Sequence, residues 1–169
     1  MKIRRARIKD ISRLDALLEQ VNMVHHIGRP DLFNIGRKYT DNELTQLLAD
    51  DSRPVFVAVD ADDTVMGYAF CIMQQPTDSH ILAPVRTLYI DDLCVDEACR
   101  GQHVGKDLFR AVTAYAHDAG CHNVTLNVWS CNPSAMRFYE KCGLVPQKVG
   151  MEMILEHSGN APAINTNNE

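Results

Sequence analysis

No Cys-x-x-Cys pair occurs among the six cysteines, Cys71, Cys94, Cys99, Cys121, Cys131 and Cys142. Neither His25-His26 nor Cys121-His122 gives the clustered spacing that a zinc site needs. The expectation is therefore buried, reduced thiols and no metal. No apolar run approaches a membrane span; Pro54–Val59 is typical of the longest. Met1–Ile8 reads Met-Lys-Ile-Arg-Arg-Ala-Arg-Ile, and no apolar stretch with a small-residue cleavage site follows. That pattern predicts no secretory signal and a cytoplasmic location. Basic residues are not in excess: 17 Lys and Arg face 22 Asp and Glu, for a net charge of -5. An acidic chain without a basic stripe is a poor nucleic-acid binder, although one local pocket can still hold an anion. Internal repeats are absent as well.

What is present is an ordinary composition, 46% hydrophobic and 23% charged over 169 residues. That suits one domain with its own core. Ile3–Ile8 alternates as a strand does. Asp10 or Ser12 then caps a helix carrying Ile11, Leu14, Leu17, Leu18, Val21 and Val24 at helical spacing. Gly28–Asp31 breaks it, and Thr40-x-x-Glu43 is a capping box ahead of a second, short helix. Pro54–Val59 is continuously apolar, as a strand covered on both faces would be. Thr64–Gln74 returns as its hairpin partner, and Arg86–Val95 is a further strand with Asp91-Asp92 in its middle. A helix follows from Val104 to Ala119, then a strand at Asn123–Trp129. Asn132-Pro133 starts a last helix, ended by Gly143. Leu144–Leu155 is expected to hold one or two strands, which closes a domain at about residue 156. His157–Glu169 is polar and is expected to be a disordered tail. This order predicts a mixed α/β sheet with helices on both faces.

The turn between the Arg86–Val95 strand and the following helix contains Arg100, Gly101, Gly105 and Lys106. Unpaired amides and the positive end of the helix dipole make such a turn a phosphate cradle. It is not a P-loop: only three residues separate Gly101 from Gly105, and Asp107 stands where Ser or Thr would hold magnesium. The dinucleotide fingerprint Gly-x-Gly-x-x-Gly is absent too.

Arg100-Gly-Gln-His-Val-Gly105 resembles the acetyl-CoA pyrophosphate loop of the GNAT superfamily of N-acetyltransferases, Gln/Arg-x-x-Gly-x-Gly/Ala. Asn132-Pro-Ser-Ala135-Met-Arg-Phe138-Tyr139, continuing to Gly143-Leu144, resembles that family's second signature, Asn-x-x-Ala-x-x-Phe-Tyr-x-x-x-Gly-Phe. The resemblance spans about Ile3 to Leu155. One position departs: His103 replaces the central Gly of the loop, and would be strained if that position needs φ > 0.

The resemblance implies a three-layer fold, with a mixed, mostly antiparallel sheet whose central strands splay into a cleft. It implies acetyl-CoA as co-substrate and a primary amine as acceptor, which attacks the thioester directly in a ternary complex without an acyl-enzyme. Leu93, Cys94 and Val95 would pair through their backbone with the pantetheine arm. Arg100, Gly101, Gln102, His103, Val104, Gly105 and Lys106 would hold the pyrophosphate. Asn132 would contact the arm, and Tyr139 would stand by the sulfur as general acid. Asp91 and Asp92, expected on opposite faces of their strand, are the candidate bases; either can serve, or can instead orient a cationic substrate. His26, Arg29 and Asp31 would border the acceptor, or else form a solvated helix-ending turn. Trp129 is expected in the core and Glu97 in solvent. A homodimer is common among similar proteins. The rival reading is an acyl-CoA-binding sensor without turnover.

Overall fold

A computed structural model describes residues 1–155 of the chain; the tail read at His157–Glu169 lies outside the described residues. The elements run β1 (Lys2–Arg5), α1 (Ile11–Gly28), α2 (Asp41–Leu48), β2 (Val55–Val59), β3 (Val65–Gln74), β4 (Thr87–Val95), α3 (Val104–Asp118), β5 (Asn123–Leu126) and α4 (Pro133–Lys141). The five strands form one sheet in the order β1-β2-β3-β4-β5. The first three pairings are antiparallel and β4–β5 is parallel, so the sheet is mixed as expected.

The three middle strands, β2, β3 and β4, feed two cores because their side chains alternate. On β2, Val55, Val57 and Val59 pack under Leu14, Leu17 and Leu18 of α1 and Leu44 and Leu47 of α2. Phe56 and Ala58 face the other way, onto Leu108, Phe109 and Val112 of α3. All five residues of β2 are buried, which is why the sequence there is continuously apolar. Gly67 of β3 permits the close β3–β4 approach: a Cβ there would lie 2.7 Å from the Cys94 carbonyl oxygen.

The helix starts differ in their chemistry. Thr40 Oγ1 accepts from Glu43 N (3.2 Å) while the Glu43 carboxylate accepts from Thr40 N (2.7 Å), completing the box before α2. Asp10 precedes α1 but does not cap it. Its buried carboxylate instead accepts two hydrogen bonds from Arg4, at 2.7 and 3.0 Å, and one from Arg7 N at 2.7 Å. Burial alone would push its pKa up; Arg4 and the Arg7 amide outweigh it and hold the carboxyl below its ordinary value.

Four expectations fail in whole or in part. The strand read to Trp129 stops at Leu126, because β5 pairs with β4 only over Thr87–Ile90 and then parts from it. The strand or strands read in Leu144–Leu155 are absent: these residues form no regular element, and Val145, Val149, Met151 and Met153 are exposed. Pro146 lacks a donor, and without a neighbouring ladder alternation alone does not make a strand. Trp129 is not in the core; it is exposed and meets Phe33 edge-on, 5.2 Å between ring centroids. The six thiols are unpaired, but only Cys71 and Cys94 are buried, and Cys131 is exposed. No helix among the described residues is long and apolar enough to cross a membrane.

Candidate active site

The site is built on the lower half of β4, where the sheet opens. Beyond Ile90 and Leu126, β4 runs on through Val95 while β5 has ended. On the side away from β3, Asp91–Val95 therefore has no strand neighbour among the described residues.

A bulge reorganises the carboxylates. Opposite Phe70 stands Asp92, but opposite Cys71 stands Ile90, so Asp91 is an extra residue in the ladder. The alternation resets across it: Leu88 and Ile90 face the α3 core before the bulge, Leu93 and Val95 after it, and Cys94 faces α1. Asp91 and Asp92 consequently point to the same face rather than to opposite ones. Both carboxylates meet one ammonium, with Lys38 Nζ 3.1 Å from Asp91 Oδ2 and 3.6 Å from Asp92 Oδ2.

The environment separates the two acids. The Asp92 side chain is only 9% exposed, against 26% for Asp91. Burial raises the Asp92 pKa to about 6, with Lys38 pulling down and Asp91 pushing up. Tyr68 lies beneath, fully buried, its hydroxyl without a hydrogen-bond partner among the described residues. Burial and the Asp92 carboxylate push its pKa well above the ordinary tyrosine value.

Tyr139 reaches the site from α4, packed on Phe138 (5.0 Å between centroids) and Phe109 (6.2 Å). Burial, and then the Asp92 charge, raise its pKa, so it stays protonated and can give a proton rather than take one. Asn132 caps α4: its Oδ1 accepts from Ala135 N (3.1 Å) and Ser134 Oγ (2.8 Å), which leaves the side-chain amide as its remaining donor.

Above β4, Arg13 of α1 pairs with Asp96, and Asp96 Oδ1 accepts from Ala98 N (3.0 Å). This fixes the start of the turn. Gly101 then takes φ 78° and His103 φ 64°, so the unusual residue at the loop's centre does adopt the left-handed conformation. Its imidazole makes no cap hydrogen bond and is exposed. The backbone N–H groups of Gly101 to Lys106 have no acceptor among the described residues, and the first intrachain bond of the helix start is Asp107 N to His103 O at 3.0 Å. Consecutive unpaired amides at a helix N-terminus suit a diphosphate. Gly105 keeps its backbone open where Phe138 and Val95 approach, each 3.4 Å from an added Cβ. Arg100 and Lys106 are both exposed at the rim, Arg100 3.4 Å from Glu97.

The acceptor-side candidates are bonded to groups other than Asp91 and Asp92. Arg29 holds Asp31 (2.7 Å) and Glu152 (2.8 Å), and His26 Nδ1 is 2.6 Å from Phe33 O. They act as ties for the α1–α2 linker and the 145–155 segment. Sequence reasoning missed Lys38 and Tyr68. Neither belongs to a matched motif, and only the bulge brings Lys38 over two carboxylates. Among the described residues no group of three or more His, Cys, Asp or Glu side chains is placed to hold a metal ion.

The Acetyltransferase (GNAT) family profile matches residues 21–144, which include Lys38, β4, the Arg100–Lys106 turn and Tyr139. The chain belongs to this family. A curated relative, glucosamine 6-phosphate N-acetyltransferase 1 of Oryza sativa subsp. japonica, is 31% identical over 151 residues, 89% of this chain and 84% of the relative. A mutant of the BH1408 protein of Bacillus halodurans superposes with a TM-score of 0.89 at 29% identity, covering 92% of this chain and 100% of that one. An aminoglycoside acetyltransferase from an uncultured soil metagenomic sample, in complex with sisomicin, shares the GNAT fold at 22% identity and a TM-score of 0.67, over 92% of this chain and 96% of that one.

Proposed function

We propose that this GNAT protein transfers the acetyl group of acetyl-CoA to a primary amine by direct attack. Bound acetyl-CoA supplies an activated acetyl thioester and a thiol leaving group. The amides of Gly101–Lys106 would bind its diphosphate. The open edge of Leu93, Cys94 and Val95 would pair with its arm as an added strand, and the free amide of Asn132 would assist. Asp92 would take the proton from the acceptor ammonium, directly or through water. Tyr139 would return a proton to the departing sulfur. The observation that carries this reading is the half-open strand β4, with unpaired amides at its end and a buried carboxylate of raised pKa at its bulge.

Of the two candidate bases, Asp92 fits better because a base works best when its pKa lies near the operating pH. Asp91 would orient the cationic acceptor. Glucosamine 6-phosphate, named in the Oryza relative, is the first acceptor to try; amino sugars, polyamines and peptide N-termini follow. The test is thiol release from acetyl-CoA with this panel. Amine-dependent release supports transfer; coenzyme binding without release from any amine points to a sensor.

A further inference from the structure

Lys38 is a cation that neither motif accounts for. It lies in the linker between α1 and α2, and that linker is anchored just before it. Asn22 Nδ2 donates to the carbonyls of Asn34 (2.9 Å) and Gly36 (3.1 Å), and Arg37 pairs with Asp15 at 2.8 Å. Lysines usually keep their ammonium in water. This one is drawn over the bulge, 3.1 Å from Asp91, 3.6 Å from Asp92 and 5.4 Å from the centre of the Tyr39 ring.

We infer that Lys38 is a positioning residue: by bridging Asp91 and Asp92 it keeps the buried Asp92 carboxylate ionised in the neutral range, and so sets the acid side of the enzyme's pH profile. Without a cation the buried Asp92 would keep its proton to higher pH, because burial and the neighbouring Asp91 charge both favour its neutral acid. The bulge creates this conflict, and a cation held in contact with both oxygens relieves it.

Lys38 is the charged group that does so, and the neutral Tyr68 hydroxyl acts in the same direction more weakly. Facing Asp92 are Asp91 of β4, Tyr68 of β3, Tyr139 of α4 and Lys38 of the linker. Cys94 lies farther along the same face of β4, Tyr39 flanks Tyr68, and His25 of α1 faces Lys38. Tyr68, Tyr139 and Cys94 are all pushed up and stay neutral. His25 is pushed down by burial and by Lys38. Lys38 itself is pulled down by burial, but the carboxylates outweigh this and its pKa rises, so it remains charged.

The inference rests on the proposed role of Asp92 only in its catalytic half, and the test separates the halves. Carbon-13 NMR of the aspartate side-chain carboxyls, in the full chain without ligand, gives the Asp92 midpoint directly. The wild type should titrate near 6. Lys38→Met should raise that midpoint by about one to three units, and Lys38→Arg should bring it back. If Lys38→Met does not fold, Lys38→Gln serves the same purpose. A midpoint unchanged without the cation overturns the inference, whatever the enzyme does. The acid limb of kcat/KM should then move by the same amount, with the rate recovered at high pH. A moved midpoint with an unmoved limb overturns the catalytic half and removes Asp92 as base. Absence of thiol release from every amine overturns the transferase reading and leaves the midpoint result standing.

Discussion

Replacing Asp92 with Asn should make the protein more stable and less active at once. In the fold the Asp92 carboxyl titrates near 6, against an ordinary 3.8. The folded state therefore holds this proton more tightly than the unfolded chain. The sign follows: stability associated with Asp92 is fully present below about pH 3.8 and is lost as pH rises through 6. The difference of about two pH units corresponds to roughly 3 kcal/mol of destabilisation at neutral pH. Asn keeps the shape and removes the charge, while Lys38 keeps Asp91 as partner at 3.1 Å. Asp92→Asn should thus equal the wild type near pH 4 and exceed it by about 1–3 kcal/mol at pH 7.5. Urea unfolding of both proteins at pH 4, 6 and 7.5 reads this directly. Acetyl transfer by the variant should fall by about 10²–10⁴-fold. A variant less stable than wild type at pH 7.5, by a margin that does not change with pH, would refute the reasoning about the burial of this carboxylate.

Tyr139→Phe keeps the packing on Phe109 and Phe138 but removes the proton donor; kcat should drop by about 10²-fold or more while calorimetric affinity for acetyl-CoA stays the same. Gly105→Glu adds bulk where Phe138 and Val95 already stand 3.4 Å from a Cβ, and adds negative charge beside the amides; affinity for coenzyme A should fall by roughly tenfold or more by calorimetry. Arg4→Met strands the buried Asp10 carboxylate and should cost about 3–5 kcal/mol in urea unfolding at pH 7. Asp10 has a lowered pKa in the fold, so its contribution is present above the unfolded value and is lost as pH falls through the folded one; the gap between Arg4→Met and wild type should narrow on acidification.

The parts of the fold legible in the sequence were those that local chemistry decides. The capping box at Thr40 and Glu43 and the apolar stripe of α1 specify their helices through contacts a few residues apart. The all-apolar β2 announced a strand covered twice. The turn at Arg100–Lys106 was legible because its glycines and its place before α3 carry the geometry, and His103 did take the left-handed φ that its position demanded. The carboxylate arrangement was not legible. Strict alternation puts Asp91 and Asp92 on opposite faces, and only the cross-strand slip at Phe70 and Cys71 turns them to the same one. Lys38 was hidden for a related reason: its nearer partner, Asp91, lies 53 residues away along the chain, and nothing local distinguishes it from a solvated lysine. Leu144–Leu155 shows the converse, since its apolar residues suggest a strand but among the described residues no ladder receives it.

The proposed coenzyme site depends most on the amides at the start of α3. Nitrogen-15 amide spectra of the full chain, recorded while coenzyme A is added, test them residue by residue. The signals of Gly101 to Lys106 should move most, and should saturate together with those of Leu93 to Val95 along the open strand. Saturable binding that leaves the turn's amides unshifted, with the largest changes elsewhere on the molecule, would contradict it.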